Sequence, residues 1–186
     1  MKHRMKYKKI KITSIDPRIK KDRGLWGDGC YGASCMDECC IWGCDVDLAT
    51  IELIEEHRDL IEPLTGAGID TCFKTPLKED EDYIGGSYRE TRVRAEDGLC
   101  AFHLTGGTRG CALFTVWAKH NLPKFIVPTI CRVYPVTWHR GELFKDSPIR
   151  PSCKVKEKTP KGSPAPSLFE TQEKEIRELF DIECED

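Results

Sequence analysis

The chain has 186 residues and a formal net charge of -2, with 39% hydrophobic residues against 32% charged. That mixture can bury one compact core, so one domain with tails is expected. No apolar run approaches the roughly 18 residues that a membrane span needs, and the opening MKHRMKYKKIKITS lacks the apolar middle of a secretory signal, which points to the cytoplasm.

Residues 1–23 carry ten lysines and arginines against Asp16 and Asp22, and read as a basic N-terminal arm with strand potential at Ile10 to Ile15. Such an arm could meet an acidic partner or nucleic-acid phosphates. With one aromatic residue and no recognition motif beside it, a solvated terminus fits better than a nucleic-acid binder. Gly24, Gly27, Gly29 and Gly32 then mark a loop that folds closely around something, as a metal site requires.

The stretch DLATIELIEEHRDLIEPL predicts a long helix opened by Asp47 or Thr50 and stopped near Pro63, with Ile51, Ile54 and Ile61 facing the core. A long connection follows as far as Ser87. YRETRVRAEDGLCAFH then predicts a hairpin turned around Glu96, Asp97 and Gly98 that delivers Cys100 to the core. CALFTVWAKHNL predicts a helix with Cys111 in its first turn, ending before Pro123, and RVYPVTWHRGELF a second hairpin turned near Arg140 and Gly141. KTPKGSPAPS is an extended linker. In the last helix, Ser167 and Glu170 fit a capping box, and Phe169, Ile176, Leu179 and Phe180 form an apolar stripe suited to docking on its own domain. Its acidic outer face could attract the basic arm. The organisation expected is a basic arm over 1–23, a cysteine-cluster domain over 24–150, a linker over 151–166 and an acidic helix and tail over 167–186. The fold class is α+β: a small, irregular, metal-stabilised domain with a few helices and short antiparallel hairpins.

Eleven cysteines far exceed ordinary usage. A reducing cytosol opposes their storage as disulfides, and an odd count leaves at least one unmatched. Thiolates are strong ligands for zinc, copper(I) and iron-sulfur clusters. Cys30, Cys35, Cys39 and Cys40 are separated by four, three and no residues, with Cys44 three beyond. Adjacent Cys39 and Cys40 are awkward for one tetrahedral ion and easier to use at a polynuclear centre. The usual four-cysteine ferredoxin run is absent. Cys100, Cys111 and Cys131 have to be brought in by folding.

The string C-x4-C-x3-CC at Cys30 to Cys40, followed by EDGLCAF at Cys100, GCALF at Cys111 and PTICRVYPV at Cys131, resembles the bacterial YkgJ-like cysteine-cluster proteins. The resemblance runs from about Asp28 to Phe144. It implies a domain that chelates zinc or iron, in some members as an iron-sulfur cluster. Residue by residue, it implies Cys30, Cys35, Cys39, Cys40, Cys100, Cys111 and Cys131 as ligands of the metal or cofactor. It supports Cys44 less clearly and leaves out Cys72, Cys153 and Cys184.

Among the other residues, His103 and His139 could reach a metal or donate to a ligating sulfur, although an ordinary hydrogen-bonded histidine is the simpler account of each. His57, on the predicted first helix, has the weaker claim. Arg109 and Arg132 neighbour cysteines and could compensate thiolate charge or hold an anionic substrate. Nucleophile-elbow, phosphate-loop and zinc-hydrolase motifs are absent. Three functions follow as expectations. The first is an iron-sulfur protein, with a 4Fe-4S cluster, in a redox or maturation-related role. The second is a zinc-stabilised structural or protein-interaction module. The third is a metalloenzyme with an open coordination position facing a small-molecule substrate, in a pocket formed by the Cys72 to Ser87 excursion.

Overall fold

A computed structural model describes residues 7–22, 37–146 and 166–184. The glycine loop with Cys30 and Cys35, the linker and Cys153 lie outside the described residues. The mixture of helices and small sheets agrees with the expected α+β class. Among the described residues, no helix is long and apolar enough to cross a membrane.

The basic N-terminal segment is partly built into the fold. Strand β1 (Ile10–Ile12) pairs in parallel with β8 (Phe180–Ile182), and β2 (Ser14–Ile15) pairs in parallel with β7 (Glu142–Lys145). Strand β7 forms an antiparallel hairpin with β6 (Val136–His139), turned at Arg140 and Gly141 as the sequence predicts. Helix α1 (Pro17–Lys21), capped by Asp16, packs against helix α6 (Leu168–Leu179). The alternation in β1 puts Ile10 and Ile12 inward and Lys11 outward, where its Nζ lies 2.8 Å from Glu183. Lys9 Nζ donates to the Arg177 carbonyl at 2.7 Å. The lysines therefore meet the acidic C-terminal region while the isoleucines join its core.

Helix α6 has the predicted capping box. The Ser167 hydroxyl accepts from the Glu170 amide, and the Glu170 carboxylate accepts from the Ser167 amide at 2.6 Å. Its buried stripe comprises Leu168, Thr171, Gln172, Glu175, Ile176 and Leu179, whereas Phe169 is only partly buried.

A first apolar core gathers Ile12, Ile19, Val133, Val136, Leu143, Ile176 and Phe180 from these elements. A second holds Ile51, Ile54, Ile61, Ile69, Phe73, Phe102, Leu113 and Val127. The second core is built by β3 (Asp45–Asp47), helix α2 (Leu48–Glu56), helix α3 (Arg58–Thr65), helix α4 (Ala112–His120) and the segments around Ile69, Phe102 and Val127, and β4 (Lys78–Glu79) and β5 (Ser87–Glu90) extend the sheet from β3. Strand β5 lies between β3 and β4, antiparallel to both. The single long helix expected over this region is two helices that break at His57, and α3 runs through Pro63 to a left-handed cap at Gly66. The missing proline amide costs this short helix one hydrogen bond, which its apolar contacts outweigh.

Helix α5 (Thr129–Val133) sits where the two cores meet. Its Thr129 amide donates to Asp47 at 3.2 Å, and Asp47 also accepts from the Ile84 amide at 3.0 Å. On its other side Arg132, fully buried, donates through Nε to Glu175 of α6 at 2.8 Å, and its Nη2 lies 2.8 Å from Glu178. Lys124 also pairs with Glu175, and the ring of Phe125 lies 5.1 Å from the guanidinium. Arg132 thus turns to the C-terminal helix and serves neither as a thiolate counter-charge nor as an anion holder.

Removing one member of a buried pair strands the other charge, at a cost of about 3 to 5 kcal/mol. Glu175→Gln is expected to lose stability on that scale in urea unfolding. Glu173→Gln, on the exposed pair with Arg177, should change it by less than about 1 kcal/mol. Equal midpoints for the two variants would remove the buried pair as the tie between α5 and α6.

Candidate functional site

Among the described residues, six cysteines line one cavity of about 400 Å³: Cys39, Cys40, Cys44, Cys100, Cys111 and Cys131. Cys39 and Cys40 sit on a 3-10 turn over Glu38–Trp42, and Cys44 follows immediately before β3. Cys100 arrives at the end of the predicted hairpin, whose Val93 bridges it. Cys111 is the N-cap of α4, and Cys131 lies within α5. Five of the seven sequence-predicted ligands are therefore brought together, while Cys30 and Cys35 fall outside the described residues. Cys44 joins them, with no more in the sequence to announce it than its closeness to Cys40.

Backbone hydrogen bonds fix this convergence. The Cys100 amide donates to the Cys40 carbonyl at 2.7 Å, and the Thr91 amide to the Cys44 carbonyl at 2.9 Å. Leu104 N donates to Gly110 O at 2.9 Å, bringing the start of α4 alongside the Cys100 segment. A buried side-chain contact completes the frame. Asp37 Oδ2 lies 3.1 Å from His103 Nε2 and accepts from the Gly110 amide, also at 3.1 Å, while His103 Nδ1 lies 2.9 Å from the Leu104 carbonyl. Both ring nitrogens of His103 are engaged, so the imidazole ties segments together at the cavity wall. Asp37 was not foreseen. Its left-handed backbone, φ 55°, is a conformation that aspartate tolerates better than most residues and that sequence spacing does not announce.

The remaining candidates divide clearly. Arg109 lines the cavity. His139 is exposed and lies 3.3 Å from Asp82, and His57 marks the break between α2 and α3. The Cys72 to Ser87 excursion contributes nothing to the cavity lining. It packs instead as part of the β3, β5, β4 sheet. Cys72 is fully buried in the second core with its Sγ 3.6 Å from the Gly68 carbonyl, and burial pushes its thiol up to about 11.

The cavity thiols hold their protons tightly. The Cys39 side chain and burial together drive Cys40 far above the ordinary thiol value. Cys44 and burial do the same to Cys100. At Cys44, contact with the Cys100 side chain favours the thiolate, but the Cys131 thiol and burial outweigh it and raise the group well above the usual value. For Cys131 the contact with Cys44 favours the thiolate, while burial and the Cys111, Cys39 and Cys100 thiols push it up. Burial carries Cys111 up to about 12, against the opposing pull of the Phe114 and Leu113 amides at the start of α4. These sulfurs are crowded among Phe102, Leu113, Phe114 and Val127, with Trp42 at the rim and 58% exposed. Among the described residues, no three Cys, His, Asp or Glu side chains close around one ion-sized point.

No family model, curated protein or solved structure matches this chain.

Gly43 allows the close packing beside Cys44. Its φ is +71°, and a Cβ there would meet Thr91 Oγ1 at 2.5 Å. Gly86 has a similar φ of +73° with nothing within 4 Å of a built Cβ. Gly86→Ala should therefore show the backbone cost alone, on the order of 1 kcal/mol, and Gly43→Ala a larger loss of about 2 to 3 kcal/mol. Thermal or urea unfolding of the two variants measures the difference, and equal losses would mean that Thr91 moves aside freely.

Proposed function

We propose that this protein holds a thiolate-ligated metal centre, an iron-sulfur cluster of the 4Fe-4S kind, and uses it for electron transfer or for the maturation of another molecule. The observation that carries this reading is the arrival of six cysteines from separate parts of the chain at one cavity. An isolated buried cysteine needs no ligand, because it behaves as a small apolar side chain, as Cys72 does here. Six around one cavity, with the protons of Cys40, Cys44, Cys100, Cys111 and Cys131 held by crowding and burial, form a site whose sulfurs a thiophilic cation would deprotonate and neutralise.

Adjacent Cys39 and Cys40 favour a cluster over one zinc ion. A tetrahedral zinc draws four ligands to within about 2.3 Å of a single point. A cluster takes its thiolates at separated irons, which suits adjacent Cys39 and Cys40 on diverging positions of a 3-10 turn. The resemblance to the YkgJ-like proteins implies zinc or iron, in some members as an iron-sulfur cluster. Cys30, Cys35, Cys39, Cys40, Cys100, Cys111 and Cys131 are the candidates for the four thiolates that one such cluster takes, the others supporting it or serving a second centre. Bound there, it would supply one-electron chemistry. The apolar wall formed by Phe102, Leu113, Phe114 and Val127 would limit water at the sulfurs, and Asp37 with His103 would hold the ligand segments in register. The reduced thiols suit the cytoplasm.

Purification without oxygen should yield coloured protein with near-equal iron and acid-labile sulfide, about four of each per chain. Cys39→Ser and Cys40→Ser should lower both that content and the soluble yield. Stoichiometric zinc without sulfide would replace the cluster with a zinc-held scaffold. Unchanged metal content and folding in both variants would remove Cys39 and Cys40 as ligands.

A further inference from the structure

We infer that Cys44 is a ligand of the same centre, paired with Cys100 through the hydroxyl of Thr91, and that Thr91 is the positioning residue for both sulfurs. The inference rests on the thiolate-metal function proposed above and extends its ligand set to a cysteine that the family resemblance supports only weakly.

Thr91 is 3% exposed and follows directly after β5. It clamps Cys44 in both directions. Its amide donates to the Cys44 carbonyl at 2.9 Å, and its hydroxyl accepts from the Cys44 amide at 2.8 Å. The same oxygen lies 3.5 Å from Cys100 Sγ and 4.0 Å from Cys44 Sγ. One hydroxyl thus touches two cavity sulfurs that are 56 residues apart in the chain (100 - 44 = 56). It gets this close because Gly43 has no Cβ, which would stand 2.5 Å from the oxygen. From another direction the Cys131 thiol bears on Cys44. Cys44 therefore lies among the cavity sulfurs rather than at their margin.

A hydroxyl has one proton to donate and two lone pairs. With protonated thiols, the Thr91 oxygen accepts from the Cys44 amide and the Cys100 thiol, and its own proton is directed to Cys44 Sγ. When a cation replaces the thiol protons, Cys100 can no longer donate. The hydroxyl proton then has a sulfur acceptor on either side, and the contact becomes a hydrogen bond to a thiolate. Thr91 can satisfy both states without moving its backbone, as a partner outside the ligand set should. Cys72 provides the contrast. It too is buried, but its sulfur faces the Gly68 carbonyl and stands off the cavity.

The test uses the reduced, metal-free full chain without oxygen, titrated with cadmium as the probe. Sulfur-to-cadmium charge-transfer absorption counts the bound thiolates, and pulsed alkylation read by mass spectrometry identifies them. In the unaltered chain Cys44 and Cys100 should lose reactivity together as cadmium binds, while the reactivity of Cys72 stays independent of the metal. Cys44→Ala should lower the charge-transfer intensity by one thiolate. Thr91→Val should weaken cadmium binding by about 10- to 100-fold, the usual effect of losing such a supporting contact, and Thr91→Ser should restore it. If Cys44 stays reactive while Cys100 becomes protected, or Thr91→Val binds as tightly as the unaltered chain, the inference falls and the metal function stands. If the unaltered chain shows no cadmium-thiolate absorption, both fall together. The labelling pattern needs no variant, so it decides the matter even if a substitution prevents folding.

Discussion

The ion pair between Arg132 and Glu175 is the contact on which the geometry of the cavity rests, because it secures the short helix that carries Cys131. A five-residue helix has too few internal hydrogen bonds to hold itself. Its position is set from outside, by Asp47 at its start and by Glu175 and Glu178 against its arginine. A charge pair this deep gains little net energy over an apolar substitute, since both ions have left water. What it supplies is specificity: the guanidinium has one place to go, and that place sets the rotation of the helix. Successive residues on a helix point about 100° apart, so committing Arg132 to α6 leaves Cys131 free to face the cavity.

The site is assembled on a similar division of labour. Backbone pairing between the Cys40, Cys44, Thr91 and Cys100 segments holds the chain, and the sulfurs line the cavity. None of these ties uses a cysteine side chain as its structural partner. The cavity can consequently keep its shape with thiols protonated, while its crowded sulfurs remain unfavourable to ionise until a positive charge arrives. The cost of gathering them is an electrostatic one, which a bound cation would relieve if the centre proposed above is present.

Local signals and long-range contacts were unequally legible in the sequence. The capping box of α6, the hairpin at Arg140 and Gly141, and Cys111 at the head of α4 each depend on residues a few positions apart, and each could be seen in advance. The concentration of cysteines likewise pointed to one site. The break at His57 could not be seen, since α2 and α3 share an apolar periodicity that reads as continuous and only packing separates them. The parallel pairing of β1 with β8 joins segments about 170 residues apart (180 - 10 = 170), and no local pattern encodes it. Arg132 misled for a simple reason: adjacency to Cys131 in sequence is divergence on a helix. Asp37 and His103, 66 positions apart, met only in the folded chain.

The pairing of β1 with β8 also orders events during synthesis. Most of the thiol-bearing chain, through Cys131, leaves the ribosome before Glu175 exists to hold Arg132 or Phe180 to cover Ile10. In that interval the nascent chain carries cysteines whose final spacing is not yet imposed. Any ligand of the sulfurs that arrived early would meet a loose set, and one that arrived after α6 had docked would meet a shaped cavity. The C-terminal helix therefore comes last: until it docks, Arg132 lacks Glu175 and the short helix that carries Cys131 is held at its Asp47 end alone.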